Sequence, residues 1–167
     1  MNIDHILTVM NQCQVAYLLI GGVNFLLRHK PVLTYDIDLW IEDTPDNLTR
    51  CERALAQLQA EWGAAMDDWK PVAQRPGGWL SQQQLFCLTS PFGAIDIFRT
   101  VAGLDDWQQC KRRGVEGATG GGVPYTGLCD ADMLRCQLAL PADQQNLQRI
   151  AFLLQVLESK NKSAPGF

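Results

Sequence analysis

Residues 16–41 read AYLLIGGVNFLLRHKPVLTYDIDLWI. AYLLI at 16–20 is short, apolar and stopped by Gly21-Gly22, the pattern of a buried strand running into a tight turn. VNFLLRHK then meets no breaker until Pro31 and predicts a short helix. From Thr34 to Ile41 the chain alternates with period two: Asp36, Asp38 and Trp40 face one way, Ile37, Leu39 and Ile41 the other. A strand with one apolar face thus carries two carboxylates on its opposite face.

Outward from this stretch, Ile3, Ile6, Leu7 and Met10 mark an amphipathic helix over 3–16, with Asn2 or Asp4 available as cap. A second helix, capped by Asp46 or Asn47, carries Leu48, Cys51, Leu55 and Leu58 to about Trp62. Residues 63–78 are rich in turn residues and read as a loop that includes at most a short strand. LFCLTS at 85–90 and AIDIFRT at 94–100, joined through Pro91-Phe92-Gly93, predict a β-hairpin that places Asp96 within a strand. DDWQQCKRR reads as helix, and GVEGATGGGVP, with no periodic apolar face, as a glycine-rich connector. Asp130 caps a helix through about Leu138; Leu147, Ile150, Ala151, Leu154 and Leu157 mark the last one; residues 161–167 read as a frayed tail.

The chain has 167 residues, 47% hydrophobic and 19% charged, which suits one domain with one core and excludes general disorder. Its net charge of −4 argues against a general polyanion binder. The cysteines, at 13, 51, 87, 110, 129 and 136, form no CxxC, and the histidines are His5 and His29 alone, so buried reduced thiols fit better than a zinc site or a disulfide framework. MNIDHILTV lacks the basic start of a signal peptide, and VAYLLIGGV is too short to cross a membrane, so a cytoplasmic protein without a membrane partner is expected.

Asp36 and Asp38 carry the strongest chemical signal, because alternate residues of a strand bring both carboxylates to one cation. Asp96, flanked by isoleucines, is a natural third ligand if its strand lies alongside. An isolated D-x-D is more often a solvated strand face. Three acids set among core isoleucines and leucines would repel one another unless a cation or protons intervened. Gly21-Gly22, ending a strand at a helix N-terminus, lets backbone N–H groups approach a phosphate, with Asn24 as a further donor. Taken alone, the glycine pair is an ordinary turn. GATGGG at 117–122 lacks the lysine of a phosphate-binding loop, and no nucleophile–histidine arrangement supports a hydrolase.

YLLIGGVNF, LTYDIDLWI and PFGAIDIFRT, in this order, resemble the core motifs of the nucleotidyltransferase superfamily (the polymerase-beta-like fold), especially its minimal and abortive-infection-type bacterial members. The resemblance implies an α+β fold: a mixed sheet flanked by helices over 1–103, with a helical part of the same unit over 104–160. It also implies Mg²⁺ (or Mn²⁺) on Asp36, Asp38 and Asp96, and nucleotide phosphates at Gly21, Gly22, Asn24 and Thr34. The implied reaction moves NMP from an NTP to a hydroxyl of a small molecule, a tRNA end or a protein. Val32-Leu33 stand where many relatives carry a basic residue and Arg135-Cys136 where many carry a lysine, and Arg28, Lys30 and Arg99 are the cations that could compensate unless they are solvated surface charges. The alternative is a non-catalytic nucleotide- or partner-binding protein of the same fold, such as a toxin–antitoxin component.

Overall fold

The computed structural model describes residues 1–163. Helix α1 (Ile3–Gln12) starts at Asn2, whose side chain accepts from the His5 N–H, and stops short of the expected residue 16 because Gln14 takes a left-handed φ of 57°. Strand β1 (Tyr17–Leu19) follows, then α2 (Gly21–Arg28), β2 (Asp36–Ile41) and α3 (Pro45–Gln57). Helix α2 begins at the glycines themselves, two residues before the expected start. Thr44, with Pro45 behind it, caps α3 in place of Asp46 or Asn47. Asn47 instead bridges the chain, donating to the carbonyls of Ala16 and Glu42 and accepting from the Ala16 N–H.

Trp62 leaves α3 for a small sheet of β3 (Glu61–Trp62) and β4 (Lys70–Pro71). Its ring stacks on Trp79 at 5.5 Å and meets Phe86 edge-on at 5.0 Å. Arg75 lies over it and binds the Trp62 and Asp68 carbonyls. The expected loop is therefore a folded segment of short strands and 3-10 turns, held by aromatic rings that its turn-rich composition conceals.

The hairpin is present as β5 (Leu85–Leu88) and β6 (Ala94–Phe98), followed by α4 (Trp107–Arg112) capped by Asp106. The expected glycine connector is a second hairpin, β7 (Val115–Ala118) and β8 (Pro124–Gly127). Gly117 pairs with Tyr125 there, and a Cβ on it would lie 2.8 Å from the Tyr125 ring, so glycine permits this pairing. Helices α5 (Asp130–Ala139) and α6 (Leu147–Ser163) close the described chain. Residues 161–163 of the expected tail are helical, and 164–167 lie outside the described residues.

The strands form a six-stranded mixed sheet in the order β5-β6-β2-β1-β8-β7. Both faces of β1 are buried, as its unbroken apolar run requires. On one face Tyr17, Leu19, Ile37, Leu39, Ile41, Ile95 and Ile97 pack under α1 and α3. On the other, Leu18 and Trp40 pack with Phe25, Met133, Leu134 and Leu153 beneath the C-terminal helices. Met133 of that second layer lines a cavity that also reaches Asp38. No helix among the described residues is long and apolar enough to cross a membrane. All six cysteines are free; Cys13, Cys51 and Cys110 are buried as expected, whereas Cys87 is exposed.

Candidate active site

Strands β2 and β6 run parallel in a register that sets Asp38 directly beside Asp96. The pleat puts Asp36 on the same face. One carboxylate oxygen from each of the three falls within 4.8 Å of the others. Burial, with the charges of Asp36 and Asp96 added, pushes the Asp38 carboxyl up to about 6. The Gly22 N–H donates to Asp38 and opposes that rise. Asp96 is raised as well, by burial first, against a hydrogen bond from the Cys87 thiol. Cys87 lies opposite Asp96 across the hairpin and is pushed up to about 11 by partial burial and then by the carboxylates, so it stands beside the cluster as a neutral thiol.

The glycines are fitted to the acids. Gly21 has φ +62°, and a Cβ there would sit 1.8 Å from Asp38 Oδ2. At Gly22 the Cβ position is filled by the Thr34 hydroxyl, at 2.5 Å, and that hydroxyl donates to Asp36 Oδ1 at 3.2 Å. Gly21, Gly22, Thr34, Asp36, Asp38 and Asp96 are thereby gathered in one place. Asn24 is not. It is fully buried, its Nδ2 donates to the Leu128 carbonyl at 3.1 Å, and its Oδ1 lies against Gly127, so it ties α2 to β8 rather than facing phosphate.

The candidate cations also differ from expectation. Arg28 joins His29 and Lys160 around the buried Asp130 carboxylate, with side-chain exposures of 10% and 2% for Arg28 and Asp130. Arg99 forms a two-pronged pair with Asp43, Arg135 binds Asp105, and Lys30 lies over the Phe152 ring. Among the described residues, the cation that reaches the site is Arg149, in the first turns of α6. It lines a cavity of about 240 Å³ together with Gly21 and Asp38, and its Nε is buried without a partner. Burial lowers the affinity of its guanidinium for the proton, and the charge of Asp38 works against that. The rest of the cavity wall is largely apolar: Ile20, Phe98, Val101, Leu128, Met133 and Leu140. The sequence signal of that helix is its apolar stripe, and Arg149, directly before Ile150, carries no spacing that marks it as a site residue.

No family model matches the sequence, and no curated protein matches it. Solved structures do. The lincosamide antibiotic adenylyltransferase LnuA, lincomycin-bound, superposes with TM-score 0.59 at 15% identity, over 95% of each chain. ANT(2'')-Ia in complex with adenylyl-2''-tobramycin gives 0.59 at 13% identity, covering 95% of this chain and 89% of its own. A Thermotoga maritima protein assigned to the nucleotidyltransferases gives 0.51 at 14% identity, over 94% and 89%. The chain has the nucleotidyltransferase fold. The likeness is to that fold as a whole. Within the nucleotidyltransferase fold, the carboxylates sit on two adjacent parallel strands and the glycines open the helix beside them.

Proposed function

We propose that this protein is a nucleotidyltransferase that moves a nucleoside monophosphate from an NTP to a hydroxyl of a small molecule. The observation that carries this reading is the meeting of three carboxylates on adjacent strands beside a glycine turn and an otherwise unpartnered arginine atom. The donor set is wholly carboxylate oxygen, the type a hard dication takes, and Asp38, raised by burial and then by the charges of Asp36 and Asp96, is a carboxylate whose ionised form a cation would favour. Asp36, Asp38 and Asp96 would hold Mg²⁺ or Mn²⁺, which supplies neutralisation of the triphosphate and of charge developing on the reacting oxygens.

The chain's own groups divide the remaining work. The N-terminal turn of α2 and Arg149 face the triphosphate, offering backbone N–H groups and a guanidinium. The apolar cavity beside Asp38 excludes water and suits the nucleoside. Asp96 takes the acceptor's proton as the acceptor oxygen bonds to the α-phosphorus. The bond from that phosphorus to the β-phosphate oxygen breaks, and pyrophosphate leaves with the electron pair. Arg149 weakens the case for a binding-only protein, since that case rested on missing basic residues. The small-molecule acceptor is favoured because LnuA and ANT(2'')-Ia were solved with lincomycin and an adenylylated tobramycin.

The test is incubation with Mg²⁺, α-labelled NTPs and cell extract. Label should move to a small molecule with the native protein and not with Asp36→Asn/Asp38→Asn. A native protein that binds NTP and transfers nothing would establish the binding module instead.

A further inference from the structure

The sheet continues past the carboxylates. Across the face that bears them, the register reads Cys87, Asp96, Asp38, and beyond Asp38 comes the glycine turn after β1. One step along the strands, Leu85 lies opposite Phe98 on the same face. Leu85 is 41% exposed although it is a large apolar side chain within a strand, and Cys87 beside it is also exposed. Phe98 is half-buried and lines the cavity that Gly21, Asp38 and Arg149 share, so the shelf adjoins the cavity at Phe98.

Displacement at phosphorus runs in line, with attacking and leaving oxygens at opposite ends. With the leaving pyrophosphate at Gly21 and Arg149, the acceptor must enter from beyond Asp96, across Leu85 and Cys87. Residues 82–98 contain a single charged side chain, Asp96. Arg99, which follows, is spent on Asp43 and on the carbonyls of Ser81 and Gln83, and its side chain is 12% exposed. An RNA acceptor would need cations for its phosphates, and a polycationic acceptor would need carboxylates beyond those committed to metal. The shelf offers neither.

We propose, on the basis of the transfer reading above, that the outer face of the β5–β6 hairpin, Leu85 and Cys87 with Phe98, is the acceptor site. Its occupant is an uncharged small alcohol with an apolar body. The body lies on Leu85 and Phe98, and the hydroxyl is turned toward Asp96. Cys87, exposed and directly opposite Asp96 across the hairpin, fills the gap between them.

The experiment separates extract into neutral organic-soluble compounds, cationic compounds, RNA and protein before each is offered with Mg²⁺ and α-labelled NTP. Native protein should label the neutral fraction. Leu85→Glu should raise the KM for that fraction about tenfold or more, Leu85→Met should restore it, and NTP affinity should stay within about twofold in both. Label in RNA, protein or the cationic fraction overturns the proposal, as does a KM indifferent to Leu85→Glu; either leaves nucleotidyl transfer standing. Label in no fraction, with or without NTP binding, overturns transfer and this site together. A native dimer that Leu85→Glu dissolves would put a second copy on the shelf and also overturn it.

Discussion

Gly21 leaves no space for a side chain because the Asp38 carboxylate occupies it: an added Cβ would fall 1.8 Å from Oδ2, in a backbone held at φ +62°. Gly21→Ala would combine left-handed strain with displacement of a metal-ligand candidate. We expect it to lower stability by about 2 kcal/mol and to abolish stabilisation by Mg²⁺. Gly120→Ala, with nothing within 4 Å, should change stability by less than about 0.5 kcal/mol. Thermal denaturation with and without Mg²⁺ checks both.

Asp38 makes the metal-free protein pH-sensitive in a defined direction. Its carboxyl is raised from 3.8 to about 6, so between those values the folded chain holds a proton that the unfolded chain releases. Stability from this group therefore falls as pH rises through that window and stays low above about 6. Asp38→Asn should stabilise the metal-free protein at pH 7.5 by ~1–2 kcal/mol, and should have little effect near pH 4. Denaturant titrations at the two pH values decide it. Destabilisation by Asp38→Asn at the higher pH would contradict the repulsion described for the cluster.

Arg149 should serve the nucleotide, not the metal. Arg149→Ala is expected to weaken NTP binding by roughly tenfold to a hundredfold, the range for losing a charged hydrogen bond. Mg²⁺ binding without nucleotide should be equal or slightly tighter, because a competing positive charge near Asp38 is gone. Titration calorimetry with each ligand separates the two.

Asp96 should matter to transfer more than to binding. Asp96→Asn is expected to leave NTP affinity nearly intact while reducing transfer by about 10²-fold or more, measured as label incorporated per minute. Equal losses in binding and transfer would make it a ground-state ligand only.

Much of this architecture was legible because apolar periodicity and position coincide in it. The alternation of Thr34 to Ile41 located the acids on the face opposite the isoleucines, and the hairpin around Gly93 placed Asp96 within reach. What stayed hidden depended on partners distant in sequence. Trp62 leaves α3 for Trp79 and Phe86, which no helical pattern reveals. β7 is an exposed edge strand whose pairing relies on Gly117 lying against Tyr125, so it has no apolar stripe to read. Asn24 looked free beside the glycines, yet its partner is Leu128. Arg149 became visible as a site residue only once α6 was laid across the sheet.

The central strand β1 has β2 on one side and β8 on the other, and β8 lies far along the chain. His29, at the end of α2, meets Asp130 across 101 residues, and Lys160 then joins the same carboxylate. During synthesis, the glycine turn and both early aspartates leave the ribosome well before the elements that support them. Nucleotide competence is therefore the last property the nascent chain acquires, and a chain stopped at residue 120 should bind no NTP, even with every carboxylate of the cluster in place.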